Sequence, residues 1–321
     1  MPKSTDDSVE VSLEDTEEEE STQRVVMCIG YLGDAFHGSQ LQPKVRTSQG
    51  DVEIILRKLK WLGPEDHIWL SSRTDAGVHV RMNLASFDLP LSRWDSIGAG
   101  SLLRAINDRL EDDIIVWSAY AVSDDVTVRL ARRRVYLYRL QALPNWPADM
   151  SPERLARWCR VFEGGHDFTN FCRVEEGRTT VRTVHRCAPW VDVNGRVVGF
   201  RIEAESFLWN QVRRIASALH GLATENLDLS DVIRALHRPS DSIDFGRSPS
   251  DWLMLWSIQH PALPDLDTMP LESISEWSNP PGGTNQRLHE RWQEIARKEM
   301  KLMLQRGWIQ GMESQSSDEI E

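Results

Sequence analysis

The stretch SSRTDAGVHV, Ser71 to Val80, sets the carboxylate of Asp75 two residues from the guanidinium of Arg73, directly after the apolar run His67-Ile68-Trp69-Leu70. Two chemistries fit it. Asp75 could close an Asx turn on its own backbone, with Gly77 taking the positive φ that a tight turn needs. Alternatively the carboxylate stands at the end of a strand, with Arg73 near enough to orient it and keep it ionised. A carboxylate held in that way can act as a nucleophile or stabilise positive charge developing on a substrate. Residue types alone leave both open.

Arginine is the second chemical signal. RLARRRVYLYRL carries Arg129, Arg132, Arg133, Arg134 and Arg139 around Tyr136 and Tyr138, GRTTVRTVHR adds Arg178, Arg182 and Arg186, and NQVRRI adds Arg213 and Arg214. One such run is commonly a solvated face. Three, one of them interleaved with aromatics, fit phosphate contacts plus base stacking, a common way of gripping RNA. The net charge of −12 masks this, because residues 1–23 hold nine acids against one lysine and residues 309–321 hold four acids and no base, which leaves residues 24–308 neutral.

These groups need a scaffold, and 321 residues suffice for two ordinary domains or one large α/β unit. Hydrophobic residues at 40% and charged residues at 27% are those of a soluble globular protein, and no apolar run approaches a membrane span. The N-terminus lacks the basic and then apolar regions of a signal peptide. Cys28, Cys159, Cys172 and Cys187 are scattered, with no CxxC pair, and read as reduced thiols of a cytoplasmic protein with no metal site.

Residues 1–23, acidic and without an aromatic, are expected to be disordered. RVVMCIGYLG reads as a strand, and GDVEIILRKLKWLG as a helix by the spacing of Val52, Ile55, Leu56 and Leu59, with Gly63-Pro64 as its stop. HIWLSS is a short buried strand that delivers the Asp75 motif onto a loop, and MNLASFDL is the next strand. A helix over SIGAGSLLRAINDRL and a strand over DIIVWSAYAV complete a first unit, residues 24–122. A long strand over TVRLARRRVYLYRLQA opens a second, residues 123–260. There SPERLARWCRVFEGG is a capped helix, a hairpin turns at Asn194-Gly195, and FLWNQVRRIASALHGLA is an amphipathic helix. The element order of the two units is broadly similar, which suggests an ancient duplication.

The motifs together resemble the tRNA pseudouridine synthase A (TruA) family. SSRTDAGVHV is similar to its G-R-T-D-A-G-V-H motif, and YLGDAFHGSQLQ, TSQG, RRVYLYRL, GGHDFTNF and ESFLWNQVRRI resemble further family segments in the expected order, over about residues 24–260. The resemblance implies a pseudouridine synthase fold of the α/β (α+β) type. Two related halves share a mainly antiparallel sheet, with helices on the outer face and a central RNA cleft. It implies a tRNA pseudouridine synthase acting on the anticodon stem-loop as a homodimer, with no cofactor. Asp75 matches the catalytic aspartate, Tyr136 the tyrosine that stacks on the uracil, and Arg73 the arginine that helps displace the target base. Arg213 matches the partner of the carboxylate, and Leu253 the apolar residue beneath the base. Arg132, Arg133 and Arg134 are expected to hold the RNA backbone.

Five residues depart from the family pattern. Ser71-Ser72 replace a small-Gly pair, Ser39 an aromatic, Trp209 a His or Tyr, and Gln211 an apolar residue. Other readings keep a place: the same chemistry on another RNA, an RNA-binding module without catalysis, and a glycosidase-like hydrolase, which usually needs a second acid. Residues 261–321 lie beyond the resemblance. There QRLHERWQEIARKEMKLMLQRG reads as an amphipathic helix with Leu288, Trp292, Ile295 and Leu302 on one face, a face that packs on the body by default, or else extends an RNA-binding surface or meets a partner.

Overall fold

A computed structural model describes residues 21–266, 277–281 and 286–318 of the chain. Strand β1 (Thr22–Tyr31) lies between β3 (His79–Pro90) and β4 (Ile114–Val122), antiparallel to both. Its residues from Val25 to Tyr31 are all buried, which is why the sequence reads as a nearly continuous apolar run. The strand begins at Thr22, so the expected disorder through residue 23 runs two residues too far; Thr22 and Gln23 pair with Pro90 and Leu89. Residues 1–20 of that acidic segment lie outside the described residues.

Thr47 caps α1 (Ser48–Lys58) by accepting from the Gly50 amide at 3.2 Å. The helix ends before Gly63-Pro64, because the chain reverses at Lys60 with φ of 58°. The strand expected over HIWLSS shrinks to β2 (Trp69–Leu70), paired with Ser86 and Ala85 of β3. Helix α2 (Leu91–Asn107) is kinked at Gly98, whose φ of 60° suits glycine.

In the second unit the long strand expected over residues 127–142 contracts to β5 (Arg133–Tyr138), since residues 123–130 form turns, with Val126 and Leu130 donating to the carbonyls of Ser123 and Thr127. The capped helix is α3 (Pro152–Cys159), and β6 (Gly164–Asp167) follows it. β7 (Val181–Val191) and β8 (Val197–Ala204) form the hairpin at Asn194-Gly195, with Gly195 at φ 76° and the Asp192 carboxylate accepting from the amides of Asn194 and Arg196. Then come α4 (Gln211–Ala223), α5 (Leu229–His237) and β9 (Leu253–Gln259).

All these strands form one sheet of order β4-β1-β3-β9-β5-β8-β7-β6, with β2 added beside β3. Only β3 and β9 pair parallel, at His79–Met254 and Val80–Leu255, and this short ladder joins the two halves. The sheet is therefore mainly antiparallel and mixed with helices, as expected.

Helix α6 (Gln286–Asp318) packs on the body, against β3 and β4, and of the four residues expected on its packing face only Trp292 is buried. Trp292, Ala296, Met300, Met303, Leu304 and Trp308 are buried, while Leu288, Ile295 and Leu302 are exposed. Both Trp308 Nε1 and Trp117 Nε1 donate to the Arg81 carbonyl, at 3.0 and 2.9 Å. Close approach is possible because Gly30 lies under Trp308, where an added Cβ would stand 2.0 Å from the indole nitrogen. Gln315 then acts like one more strand residue. Its amide accepts from Ala119 N at 3.1 Å and donates to Ala119 O at 2.7 Å, closing part of the open edge of β4. No helix of the described residues is long and apolar enough to cross a membrane.

Candidate active site

Asp75 sits on the loop between β2 and β3, and the first half of the chain holds that loop from several sides. Ser72 exchanges two hydrogen bonds with the buried side chain of Asn83, at 3.1 and 2.8 Å. Thr74 donates its amide to Ser39 Oγ at 2.9 Å, returns its carbonyl to the Ser39 amide at 3.1 Å, and shares a 2.7 Å hydrogen bond with Tyr31. Ser39, found where an aromatic was expected, is thus a clamp on the loop. Gly38, with φ of 105°, passes so close that an added Cβ would lie 2.9 Å from the Thr74 carbonyl oxygen. The turn itself is closed by backbone, with Val78 N donating to Asp75 O at 3.2 Å. That leaves the carboxylate free to point elsewhere, and the Asx alternative falls away.

The carboxylate points at the second half of the chain. Arg213 Nη1 donates to Asp75 Oδ2 at 2.8 Å, and Trp209 Nε1 donates to Oδ1 at 3.1 Å. Arg213 is itself fixed, since its Nε donates to the Ser248 carbonyl at 2.8 Å and its side chain is only 11% exposed. Both donors flank the start of α4, whose N-terminal end favours a nearby negative charge. Asn210, at φ 65°, makes the sharp entry into that helix in a conformation asparagine tolerates better than most residues. Buried Gln211 fixes the entry by accepting from the Leu208 amide at 2.8 Å, a task the expected apolar residue could not perform.

These groups line a cleft of about 1290 Å³ between the halves, together with Arg73, Tyr136 and Leu253. Tyr136 is on β5, buried edge-on against Phe207 with ring centroids 5.2 Å apart. Burial pushes its phenol well up, so it stays protonated near neutrality, although the Arg134 guanidinium offsets part of the effect. Leu253 is buried at the start of β9.

Two expectations need correction. Arg73 is exposed and makes no ion pair with Asp75 among the described residues; that partner is Arg213, and the second donor is Trp209, which the sequence marked only as a departure from a pattern. An exposed donor on the helix entry was the available signal. The grouping of Arg132, Arg133 and Arg134 also dissolves. Arg134 is buried and bonds inward to Ser72 Oγ at 2.8 Å, Ser71 O at 2.9 Å, Arg129 O at 3.2 Å and the Glu205 carbonyl, so its guanidinium is engaged in organising the loop. Arg133 pairs with Glu203 at 3.3 Å, and Arg132 is exposed. Alternation along a strand sends successive side chains to opposite faces, which a charge count ignores.

A part-exposed carboxylate in a cleft, gripped by a fixed cation and an indole N–H beside a tyrosine and a leucine, suits attack on, or stabilisation of, an electron-poor carbon. Comparison with known proteins points the same way. Residues 159–261 match the family model described as tRNA pseudouridine synthase. The chain is 35% identical over 240 residues to tRNA pseudouridine synthase A of Pyrococcus furiosus, covering 74% of this chain and 84% of that protein. It is 36% identical over 245 residues to the protein of the same name from Methanopyrus kandleri, covering 74% and 86%. With tRNA pseudouridine synthase A of Bacillus licheniformis the identity is 32% over 248 residues, covering 73% of this chain and 98% of the relative.

Proposed function

The chain belongs to the tRNA pseudouridine synthase A family, and on that premise we propose that it isomerises uridines of the tRNA anticodon stem-loop through the carboxylate of Asp75. The observation that carries this reading is the Asp75 carboxylate held by Arg213 at 2.8 Å and Trp209 at 3.1 Å inside the cleft.

In the reaction the N1–C1′ bond of the target uridine breaks, the uracil turns in place, and a C5–C1′ bond forms. C5 loses a proton and N1 gains one, so the reaction is a net isomerisation without cofactor or redox step. Asp75 meets the electron-deficient C1′, by covalent attack or by charge stabilisation. Arg213 holds the carboxylate and aims it. Tyr136 stacks on the uracil, and its hydroxyl, kept protonated by burial, positions a water that takes the C5 proton. Leu253 supports the base from below. Flipping the nucleotide costs a few kcal/mol, offset by stacking in the cleft and by Arg73 occupying the space the base leaves.

Residues 24–122 supply the catalytic loop in this reading and residues 123–260 the cation that activates it, so neither half works alone. The assembly is the homodimer that the family resemblance implies, acting in the cytoplasm. Mapping pseudouridine by carbodiimide treatment of unmodified tRNA transcripts incubated with the protein tests the proposal. Modification confined to the anticodon stem-loop is expected. Modification only elsewhere would move the substrate assignment, and none in any tRNA would leave an RNA-binding module.

A further inference from the structure

Trp69 presents a large apolar ring to solvent, at 57% exposure, on the wall of the cleft that holds Asp75. An exposed indole lining a cleft calls for a ligand more strongly than one scattered over an outer surface. Hydrogen bonds hold its backbone on both sides. Trp69 pairs with Ser86, and the adjacent Ile68 donates its amide to Glu53 at 3.1 Å and accepts from Gln49 at 3.3 Å. Glu53 is fully buried, held also by Arg57 and His67 at 3.0 Å each, so a buried carboxylate fixes the strand that carries the indole.

Arg129 lies over the same ring with its guanidinium carbon 5.2 Å from the centroid. Its carbonyl accepts from Arg134 Nη2 at 3.2 Å, the nitrogen that also donates to Ser71 O at 2.9 Å. One buried guanidinium therefore ties the Trp69–Arg129 pair to the root of the catalytic loop.

We propose that Trp69, backed by Arg129, is a stacking site for an unpaired nucleobase of the bound RNA, distinct from the uridine undergoing isomerisation. It rests on the tRNA reading given above. Arg129 is already in stacking contact with one face of the indole, so the base takes the other. The cation adds attraction for the flanking phosphate and for the π-face of the base. The target uridine meets Tyr136 and Leu253 instead, which leaves Trp69 for a neighbour that has been unstacked. Such a contact tolerates any base and reads whether the RNA offers an unpaired one at that distance from the target.

The test compares tRNA affinity of Trp69→Ala and Trp69→Phe, by filter binding, alongside KM and kcat for pseudouridine formation. Stacking of one base predicts that Trp69→Ala weakens binding about tenfold, with the loss in KM exceeding any change in kcat, and that Trp69→Phe recovers most of it. Abasic substitution at successive unpaired nucleotides should reveal one position where the Trp69→Ala defect disappears. Affinity unchanged within about twofold, or a defect undiminished at every abasic position, would overturn the proposal. Wild-type protein that makes no pseudouridine while Trp69→Ala still loses affinity would sink the catalytic reading and leave the stacking site standing.

Discussion

Beneath α6, Arg81 lies over Trp256 at 4.8 Å and over Trp117 at 5.7 Å, and Arg139 lies over Trp277 at 4.5 Å and over Trp292 at 5.4 Å. In the cleft, Arg173 lies over Trp209 at 4.1 Å and Arg129 over Trp69 at 5.2 Å. The contacts are alike and the surroundings are not. Arg81, Arg139 and their four indoles are buried, and Arg139 has its head locked between the Ala296 carbonyl and Glu299, both at 2.7 Å. Burial lowers the Arg139 pKa to about 10, a cost the ion pair partly offsets. Trp69 and Trp209 instead remain 57% and 41% exposed, and their arginines are exposed as well. One residue pairing thus does two jobs. Under α6 both faces of the ring are covered and the pair fixes a helix; in the cleft a face stays open for an incoming base.

If that contrast is right, substitutions should separate activity from stability. A large loss of activity is expected at Arg213, whose removal leaves the Asp75 carboxylate without its cation. Arg213→Ala should lower the single-turnover rate by roughly tenfold to a few hundredfold, equivalent to the roughly 1.5–3 kcal/mol of a hydrogen bond to a charged group in this part-exposed pair. A rate within about tenfold of wild type would separate Arg213 from the chemistry.

On the α6 side the effect should fall on folding. Trp308 is buried over Gly30, so Trp308→Ala opens a cavity and should cost about 3–5 kcal/mol in urea unfolding. Turnover per folded molecule should stay within about threefold. The reverse outcome, a stable protein with collapsed activity, would mean that α6 supports the cleft more directly than its contacts indicate.

The residues legible in the sequence were those whose neighbours in the chain are also their neighbours in space. The Asp75 loop, the Asn194-Gly195 hairpin and the capped α3 each declare themselves within ten or so residues, because turns and caps are local. The Arg213–Asp75 pair spans 138 positions and was reached only through family resemblance. Arg134 shows the limit of composition. A run of arginines looks like a surface, yet the strand alternation that places Tyr136 in the cleft turns this guanidinium inward, where backbone carbonyls satisfy it. Helix α6 misled for another reason. Leu288, Ile295 and Leu302 recur every seven residues and look like a core stripe with Trp292, yet they are exposed, while the buried face joins Trp292 to Ala296, Gly307 and Trp308. Small residues signal close approach to a neighbour, and at Gly307 an added Cβ would lie 2.8 Å from Arg81 Nε.

The central claim is that the Asp75 carboxylate performs the isomerisation, and Asp75→Asn tests it most directly. The amide is nearly isosteric, so the backbone turn closed by Val78 should persist and tRNA affinity should stay within about tenfold, or 1.4 kcal/mol, of wild type. It can neither attack C1′ nor stabilise positive charge there. The account predicts bound tRNA with no detectable pseudouridine by carbodiimide or mass-spectrometric assay. Near-normal turnover by Asp75→Asn would contradict it.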